Sequence, residues 1–178
     1  MTVDPEIIRL AQDRNFAVFT VLLSSGQPMS HVMWVDADEE HVLINTEVHR
    51  AKFRAVERDP RVTVAIWELE NPYRYAEVRG RVTEIVRGQV AREHIDALSR
   101  KYRGRDYDPA SITSERVLLL VSPERQYARR PGSADTSPPP ASRPRCPSAF
   151  RRSSSSAATP PATTSPRRHA VRSSTSRA

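Results

Sequence analysis

Cysteine and glycine are both scarce in this chain of 178 residues. The single cysteine, Cys146, excludes an internal disulfide and a cysteine metal cluster, and it fits a reducing cytosol. With only five glycines, the sequence contains no glycine-rich phosphate loop of either standard spacing. It also lacks a His-Glu-x-x-His pair and a nucleophile elbow. The common sequence signatures of nucleotide, zinc and serine-hydrolase sites are therefore missing.

Long apolar runs are absent as well. No stretch approaches the roughly 18 apolar residues that a membrane-spanning helix needs. The first residues, Met-Thr-Val-Asp-Pro-Glu, are polar and acidic and lack the apolar core of a signal peptide. We therefore expect a soluble cytoplasmic protein with no membrane partner.

Acidic residues are nearly missing from the last part of the chain. Residues 1–130 hold 20 basic and 20 acidic side chains, whereas residues 131–178 hold eight arginines, one acid and nine of the 15 prolines. The whole net charge of +7 thus lies in 131–178, which has too few apolar side chains to form a core. We predict one neutral domain, 1–130, and a disordered Ser/Pro/Arg-rich tail, 131–178. A neutral domain has no basic stripe, so no specific nucleic-acid partner is expected.

The residue pattern of the neutral domain predicts mostly strands, with short helices inserted between them or appended. The predicted helices cover 5–14, 50–58 and 89–103, and the predicted strands cover 16–23, 29–35, 41–46, 61–67, 73–86 and 117–121. Strands this close together favour hairpins and a meander. We expect an α+β, mainly β domain built as a small antiparallel barrel.

Three details refine that prediction. The strand at 16–23 has no polar face, so we expect it to be covered on both sides, by the barrel interior and by a second layer or partner. Gly80 lies where a bulge or a close backbone approach would fall. Ser122-Pro123 is expected to end the last strand.

The passage from Asn45 to Lys52 joins a strand to a helix and is the best candidate for a ligand site. A helix N-terminus, the Thr46 hydroxyl and the charges of Arg50 and Lys52 together suit a phosphate. A solvated basic face paired with neighbouring acids is the alternative, and spacing alone leaves both open. No metal site is predicted, because the histidines of this domain fall on different elements.

Residues 8–129 also resemble a known family. The matching segments are Ser25-Gly-Gln-Pro28, Val32-Met-Trp34, Arg50-Ala-Lys52, Arg58-Asp-Pro-Arg-Val62, Asn71-Pro-Tyr-Arg-Tyr75, Glu77-Val-Arg-Gly80, Lys101-Tyr102 and Arg116-Val-Leu-Leu119. Their order and spacing resemble the split-barrel family related to pyridoxamine 5′-phosphate oxidase, and within it the oxidoreductases that use coenzyme F-420. The resemblance implies a homodimer of antiparallel split β-barrels with the cofactor in a cleft between the subunits.

The resemblance further implies an oxidoreductase in which the deazaflavin ring passes a hydride to an unsaturated or conjugated small molecule. Two alternatives remain open: an FMN-dependent enzyme like pyridoxamine phosphate oxidase, and a non-catalytic module that binds a flavin or a tetrapyrrole. Few acids or bases are needed when a cofactor carries the chemistry, and no catalytic residue is assigned.

The resemblance also assigns cofactor-binding positions. Arg50 and Lys52 match the residues that hold the cofactor phosphate. The strand that lines the cofactor ring is matched by Pro28, Ser30 and Val32. The strand end beside the phosphate is matched by Asn45 and Thr46. The long strand near the pocket is matched by Tyr75, Glu77 and Gly80. The chain departs from the family in the segment Phe53-Arg-Ala-Val56. The family usually shows Arg-Asn-Leu after the lysine, and Ala55 leaves the contact of that asparagine without a counterpart.

Overall fold

The computed structural model describes residues 1–129, so the predicted tail, 131–178, lies outside the described residues. No helix within 1–129 is both long and apolar enough to cross a bilayer. The helices are α1 (Pro5–Gln12), α2 (Ala51–Arg58) and α3 (Gln89–Arg103), with a single 3-10 turn at Pro109–Ser111. The strands are β1 (Phe16–Leu22), β2 (Pro28–Trp34), β3 (Asp36–Ala37), β4 (Val42–Glu47), β5 (Arg61–Trp67), β6 (Tyr75–Arg87) and β7 (Arg116–Ala128).

All seven strands belong to one curled antiparallel sheet with the order β2-β1-β5-β6-β7-β4-β3. The predicted α+β, mainly β antiparallel architecture is confirmed. The predicted meander is only partly present: β5, β6 and β7 follow one another, but β1 pairs with β5 and β4 pairs with β7. These two long-range pairings close the sheet into a half-barrel.

The last strand does not end at Pro123, as predicted, but continues to Ala128. The register between β6 and β7 shifts at this point, and Pro123 stands opposite Gly80. A residue without a backbone N–H is tolerated at such a bulge because the ladder hydrogen bond is already interrupted there. The predicted turn at 36–40 likewise contains the two residues of β3, which pair with β4.

Gly80 confirms the expected close backbone approach. A Cβ built on this residue would lie 2.1 Å from the carbonyl oxygen of Ser122. Only glycine therefore fits where the two long strands bend across each other.

The two faces of β1 differ in burial. Ala17, Phe19 and Val21 are buried in the main core, whereas the alternate residues from Phe16 to Leu22 are only partly covered. One chain therefore covers a single face of this strand fully, and the expectation that both faces are covered requires a further layer.

The N-terminal end of α2 has no side-chain cap. Its N-cap residue is Arg50, whose side chain accepts no backbone hydrogen bond, and the first N–H groups that bond to the Arg50 carbonyl are those of Phe53 and Arg54. In contrast, α1 is capped by Asp4, which accepts from the N–H of Glu6 at 2.8 Å. The uncapped end of α2 leaves free donors beside β4.

Candidate functional site

A cavity of about 280 Å³ opens where β2, β4, α2, α3 and the start of β7 meet. Phe16, Val32 and Trp34 form its apolar side. Asn45, Lys52 and Arg116 form its polar side. An elongated ligand with one apolar and one anionic end would match this division.

Lys52 is a half-buried cation on the polar side. Within residues 1–129 its ammonium group makes no hydrogen bond or ion pair. Burial, followed by the charges of Arg50 and Arg116, lowers the pKa of Lys52 below its usual range. An anionic ligand would offset this unfavourable clustering of positive charge.

The uncapped start of α2 lies beside this lysine. The backbone N–H groups of Ala51 and Lys52 have no acceptor within the helix. The positive end of the helix dipole lies at the same terminus. Arg50 adds a second charge, although its side chain is 54 % exposed and its nearest acid, Glu47, is 3.7 Å away. Free backbone donors and two cations together form a site suited to phosphate.

Glu47 is a buried carboxylate, 1 % exposed, behind the polar side of the cavity. Its Oε2 accepts hydrogen bonds from the N–H and hydroxyl of Thr113 at 2.9 and 3.0 Å and from the N–H of Ser114 at 2.9 Å. Its Oε1 lies 3.3 Å from Nη2 of Arg116. Burial raises the pKa of Glu47, but these hydrogen bonds and the charge of Arg116 outweigh it and hold the pKa below its usual range.

Asn45 connects the cavity wall to α3. Its side-chain amide donates to the carbonyl of Ala91 at 2.8 Å and lies 3.4 Å from Nδ1 of His94. Its amide oxygen accepts from Nη1 of Arg116 at 3.3 Å. Thr46, the next predicted residue, is buried and does not line the cavity.

The apolar side of the cavity is an aromatic stack. The Trp34 ring lies parallel to that of Tyr102 at a centroid distance of 5.0 Å, and the Arg103 guanidinium covers Trp34 at 4.8 Å. Burial raises the pKa of Tyr102 to about 12, and its hydroxyl donates to the carbonyl of Asn15, so it acts as a fixed packing group. A second cavity of about 600 Å³ shares Phe16, Trp34 and Arg103 with the first.

His31 lies on β2 near the end of the cavity that carries the positive charges of Lys52, Arg50 and Arg116, called here the cationic end. Burial, then the charges of Lys52 and Arg50, lowers the pKa of His31. Its buried Nδ1 has no hydrogen-bond partner among the described residues.

The remaining predicted residues lie on the outer face of the sheet or away from the cavity. Pro28 and Ser30 are exposed on β2, where Ser30 bonds to Thr20 across the strand pair at 2.8 Å. Tyr75 and Glu77 lie on the same outer face, three strands away on β6. Gly80 lies at the bulge with β7.

Within one chain the structure therefore brings together Val32, Asn45 and Lys52 of the predicted residues as cavity lining, whereas Arg50 does not line the cavity and acts on Lys52 through its charge. It adds lining residues that the sequence did not single out as ligand contacts: Phe16, Met33, Trp34, Ile95, Leu98, Arg103, Tyr107 and Arg116. In the sequence, Trp34 and Arg116 were singled out only as parts of segments that match the family. No group of three or more His, Cys, Asp or Glu side chains in residues 1–129 could hold a metal ion.

A comparison with family models decides the relationship. The model described as pyridoxamine 5′-phosphate oxidase matches residues 3–130, which is well over half of the chain. The chain belongs to the pyridoxamine 5′-phosphate oxidase family. The resemblance to this family is thereby confirmed, as is the split-barrel fold. No curated protein matches the sequence.

Solved structures of similar shape support the assignment to this family. An F-420 reductase is 27% identical, with a TM-score of 0.60, over 67% of this chain and 94% of the other. A conserved hypothetical protein of Mycobacterium tuberculosis (18% identity, TM-score 0.56; 72% and 84% covered) and General Stress Protein 26 of Bacillus anthracis (19%, 0.53; 69% and 90%) share the fold.

The donor set of the cavity fits the flavin-type cofactor that the pyridoxamine 5′-phosphate oxidase family implies. A lysine without an anionic partner and an uncapped helix start provide an anchor for a phosphate, and the neighbouring wall is apolar and aromatic.

Proposed function

We propose that this protein is an oxidoreductase that uses coenzyme F-420 and delivers a hydride to an unsaturated or conjugated small molecule. The carrying observation is the unpaired, half-buried Lys52 beside the uncapped start of α2, in a cavity whose other side is apolar. The similarity to an F-420 reductase at 27% identity supports this cofactor over other members of the family's ligand class.

The residues divide the work by chemistry. Lys52, Arg50 and the first N–H groups of α2 hold the phosphate, and the strand around Val32 and the ring of Trp34 give the cofactor ring an apolar surface. The bound ring supplies the hydride. The protein contributes orientation and a cavity from which water is excluded, and these can provide much of a rate enhancement.

FMN is the second candidate cofactor, because the family description names pyridoxamine 5′-phosphate oxidase and the same cations would hold the FMN phosphate. Both cofactors need the phosphate anchor, so the anchor alone does not separate them.

We also propose that the functional unit is a homodimer formed through the outer face of β2, β1, β5 and β6. A direct row of paired residues runs across these strands: Val32, Val18, Ala65 and Glu77. Val32 is 66 % exposed in the single chain. A second copy on this face would bury that side chain and the half-covered face of β1, and would bring Pro28, Ser30, Tyr75 and Glu77 into an interface.

A paired titration tests the cofactor. Purified full-length protein is titrated with F-420 and with FMN, followed by fluorescence, and we expect tighter binding of F-420. Selective binding of FMN would replace F-420 in the proposal, and binding of neither would overturn both. Tight binding without turnover across a panel of conjugated acceptors would indicate a non-catalytic binding module.

A further inference from the structure

Arg116 is held rigidly in the wall of the cavity, yet some of its donors are unused. Its side chain is 10 % exposed, Nη2 lies 3.3 Å from Glu47, and Nη1 donates to Asn45 at 3.3 Å. Its Nε is buried and has no hydrogen-bond partner among the described residues. Each Nη carries two N–H groups and makes one of these contacts, so two further donors remain for an acceptor in the cavity that Arg116 lines.

The position of Arg116 indicates what that acceptor is. Arg116 and Lys52 line the same cavity, and the charge of Arg116 contributes to the lowered pKa of Lys52. Glu47 faces Arg116 from behind and is itself saturated by the hydrogen bonds from Thr113 and Ser114. Two cations that face one cavity without an anion inside it call for an anionic ligand.

We propose that Arg116 is a third phosphate-binding side chain, which donates through the remaining N–H groups of Nη1 and Nη2, and that Glu47 and Asn45 are positioning residues that fix its guanidinium. This inference rests on the proposed function, because the phosphate is that of the bound coenzyme. It extends the phosphate site from α2 to the first residue of β7.

The planar fork of the guanidinium is what makes this arrangement work. Nη1 and Nη2 each contact an oxygen of the protein, and the guanidinium carbon lies over the Tyr107 ring at 4.5 Å, so the remaining N–H groups of these nitrogens have fixed directions. A lysine at this place would keep the charge but not the direction.

The alternative is that Arg116 serves only as counter-ion to the buried Glu47. Arg87 offers a matched control, because it pairs with Glu115 at 2.7 Å on the neighbouring strand, is exposed and does not line the cavity. A long-range effect of the lost positive charge would appear in both arginines.

The experiment titrates F-420 and FMN into the full-length wild type, Arg116→Gln, Arg116→Lys, Glu47→Gln and Arg87→Gln at several salt concentrations. We expect Arg116→Gln to weaken binding at least tenfold with a shallower salt dependence, Arg116→Lys to recover part of the loss, and Arg87→Gln to stay within twofold. Glu47→Gln keeps an acceptor for Thr113 and Ser114 but releases Arg116, so binding should weaken severalfold.

Inorganic phosphate provides a readout independent of the coenzymes. It should raise the melting temperature of the wild type more than that of Arg116→Gln, and this comparison stands even if neither coenzyme binds, an outcome that would count against the proposed function alone. Unchanged affinity and unchanged phosphate stabilisation in Arg116→Gln would overturn the proposal. Tighter binding by Glu47→Gln would show that its charge opposes the ligand, and would overturn its positioning role. If Arg116→Gln fails to fold, Arg116→Lys carries the same test.

Discussion

The cationic end of the cavity and the outer face of the sheet contain most of the predicted cofactor residues, and they are built in different ways. At the cationic end, Lys52, Asn45 and Arg116 converge within one chain, and Arg116 is held by Asn45 and by the buried Glu47. On the outer face, Ser30 on β2 and Glu77 on β6 lie three strands apart. The side chains of β1 between them are half covered.

Under the proposed function, phosphate anchoring and ring placement have separate structural origins. The anchor needs only the pairing of β4 with β7 and the start of α2. The outer face becomes an enclosed surface only when something packs on it, and we assign that role to a second copy of the chain.

The largest effect should come from a charge placed at the centre of the outer face. In the proposed dimer, Val18→Asp would bury an unpaired carboxylate, which should cost about 4 kcal/mol of dimerisation free energy. We expect the dimer to dissociate in size-exclusion chromatography with light scattering. Val90→Asp, on the exposed side of α3, is the matched control and should leave the mass unchanged. A monomeric wild type would refute the proposed interface.

In the single chain, Gly80 belongs neither to the cationic end nor to the outer face but to the contact between β6 and β7. Substitution of Gly80 tests this structural role. A Cβ at Gly80 would meet the backbone of Ser122, so Gly80→Ala should destabilise the fold by about 3 kcal/mol because two paired strands must separate. Gly26→Ala is the control: its φ is +82° but nothing lies within 4 Å, and about 1 kcal/mol is expected. Denaturant unfolding measures both. Loss of coenzyme affinity in Gly80→Ala without loss of stability would return Gly80 to the binding site.

At the cationic end, Lys52→Met should weaken coenzyme binding by about 2 kcal/mol, the value of a charge-assisted hydrogen bond. Arg50→Met should cost less, about 0.5 to 1 kcal/mol, because its side chain is more than half exposed. The other lysine of the chain, Lys101, donates to the carbonyls of Ala11 and Val35. Lys101→Met should therefore lower the melting temperature without changing affinity. Equal effects of Lys52→Met and Arg50→Met on the dissociation constant would contradict this ranking.

The smallest effect concerns pH. The pKa of His94 is lowered, first by burial, so its neutral form is favoured in the folded state. The stability from this group is present above the ordinary pKa, about 6.5, and is lost as pH falls from there through the lower folded value. His94→Gln should reduce the acid sensitivity of the melting temperature between pH 8 and pH 5. His31 shifts the same way and remains in the variant, so a complete loss of the acid sensitivity would contradict the expected partial effect.

Much of the fold could be predicted from local patterns. Proline and aspartate marked the start of α1, alternation marked β5, and the scarcity of side-chain space was foreseen at Gly80. The course of β7 beyond Pro123 could not be predicted, because a proline normally ends a strand and only the bulge opposite Gly80 accommodates it.

The site was predictable only where its residues are close in sequence. Arg50 and Lys52 stand together beside a strand end, and that cluster carries a recognisable signal for phosphate. The contact of Glu47 with Thr113 and the alignment of Asn45 with Arg116 join residues more than 60 positions apart. Such contacts depend on which strands pair, and β4 pairs with β7 for reasons of overall topology rather than local pattern.

The length of β7 has a consequence for the order of events during synthesis. This strand pairs with both β6 and β4 and begins with Arg116, yet it is the last of the described elements to leave the ribosome. Until it emerges, two sheet edges stay open and the cationic end lacks one of its charges. A ligand site that uses Arg116 is therefore complete only after the whole domain has been synthesised.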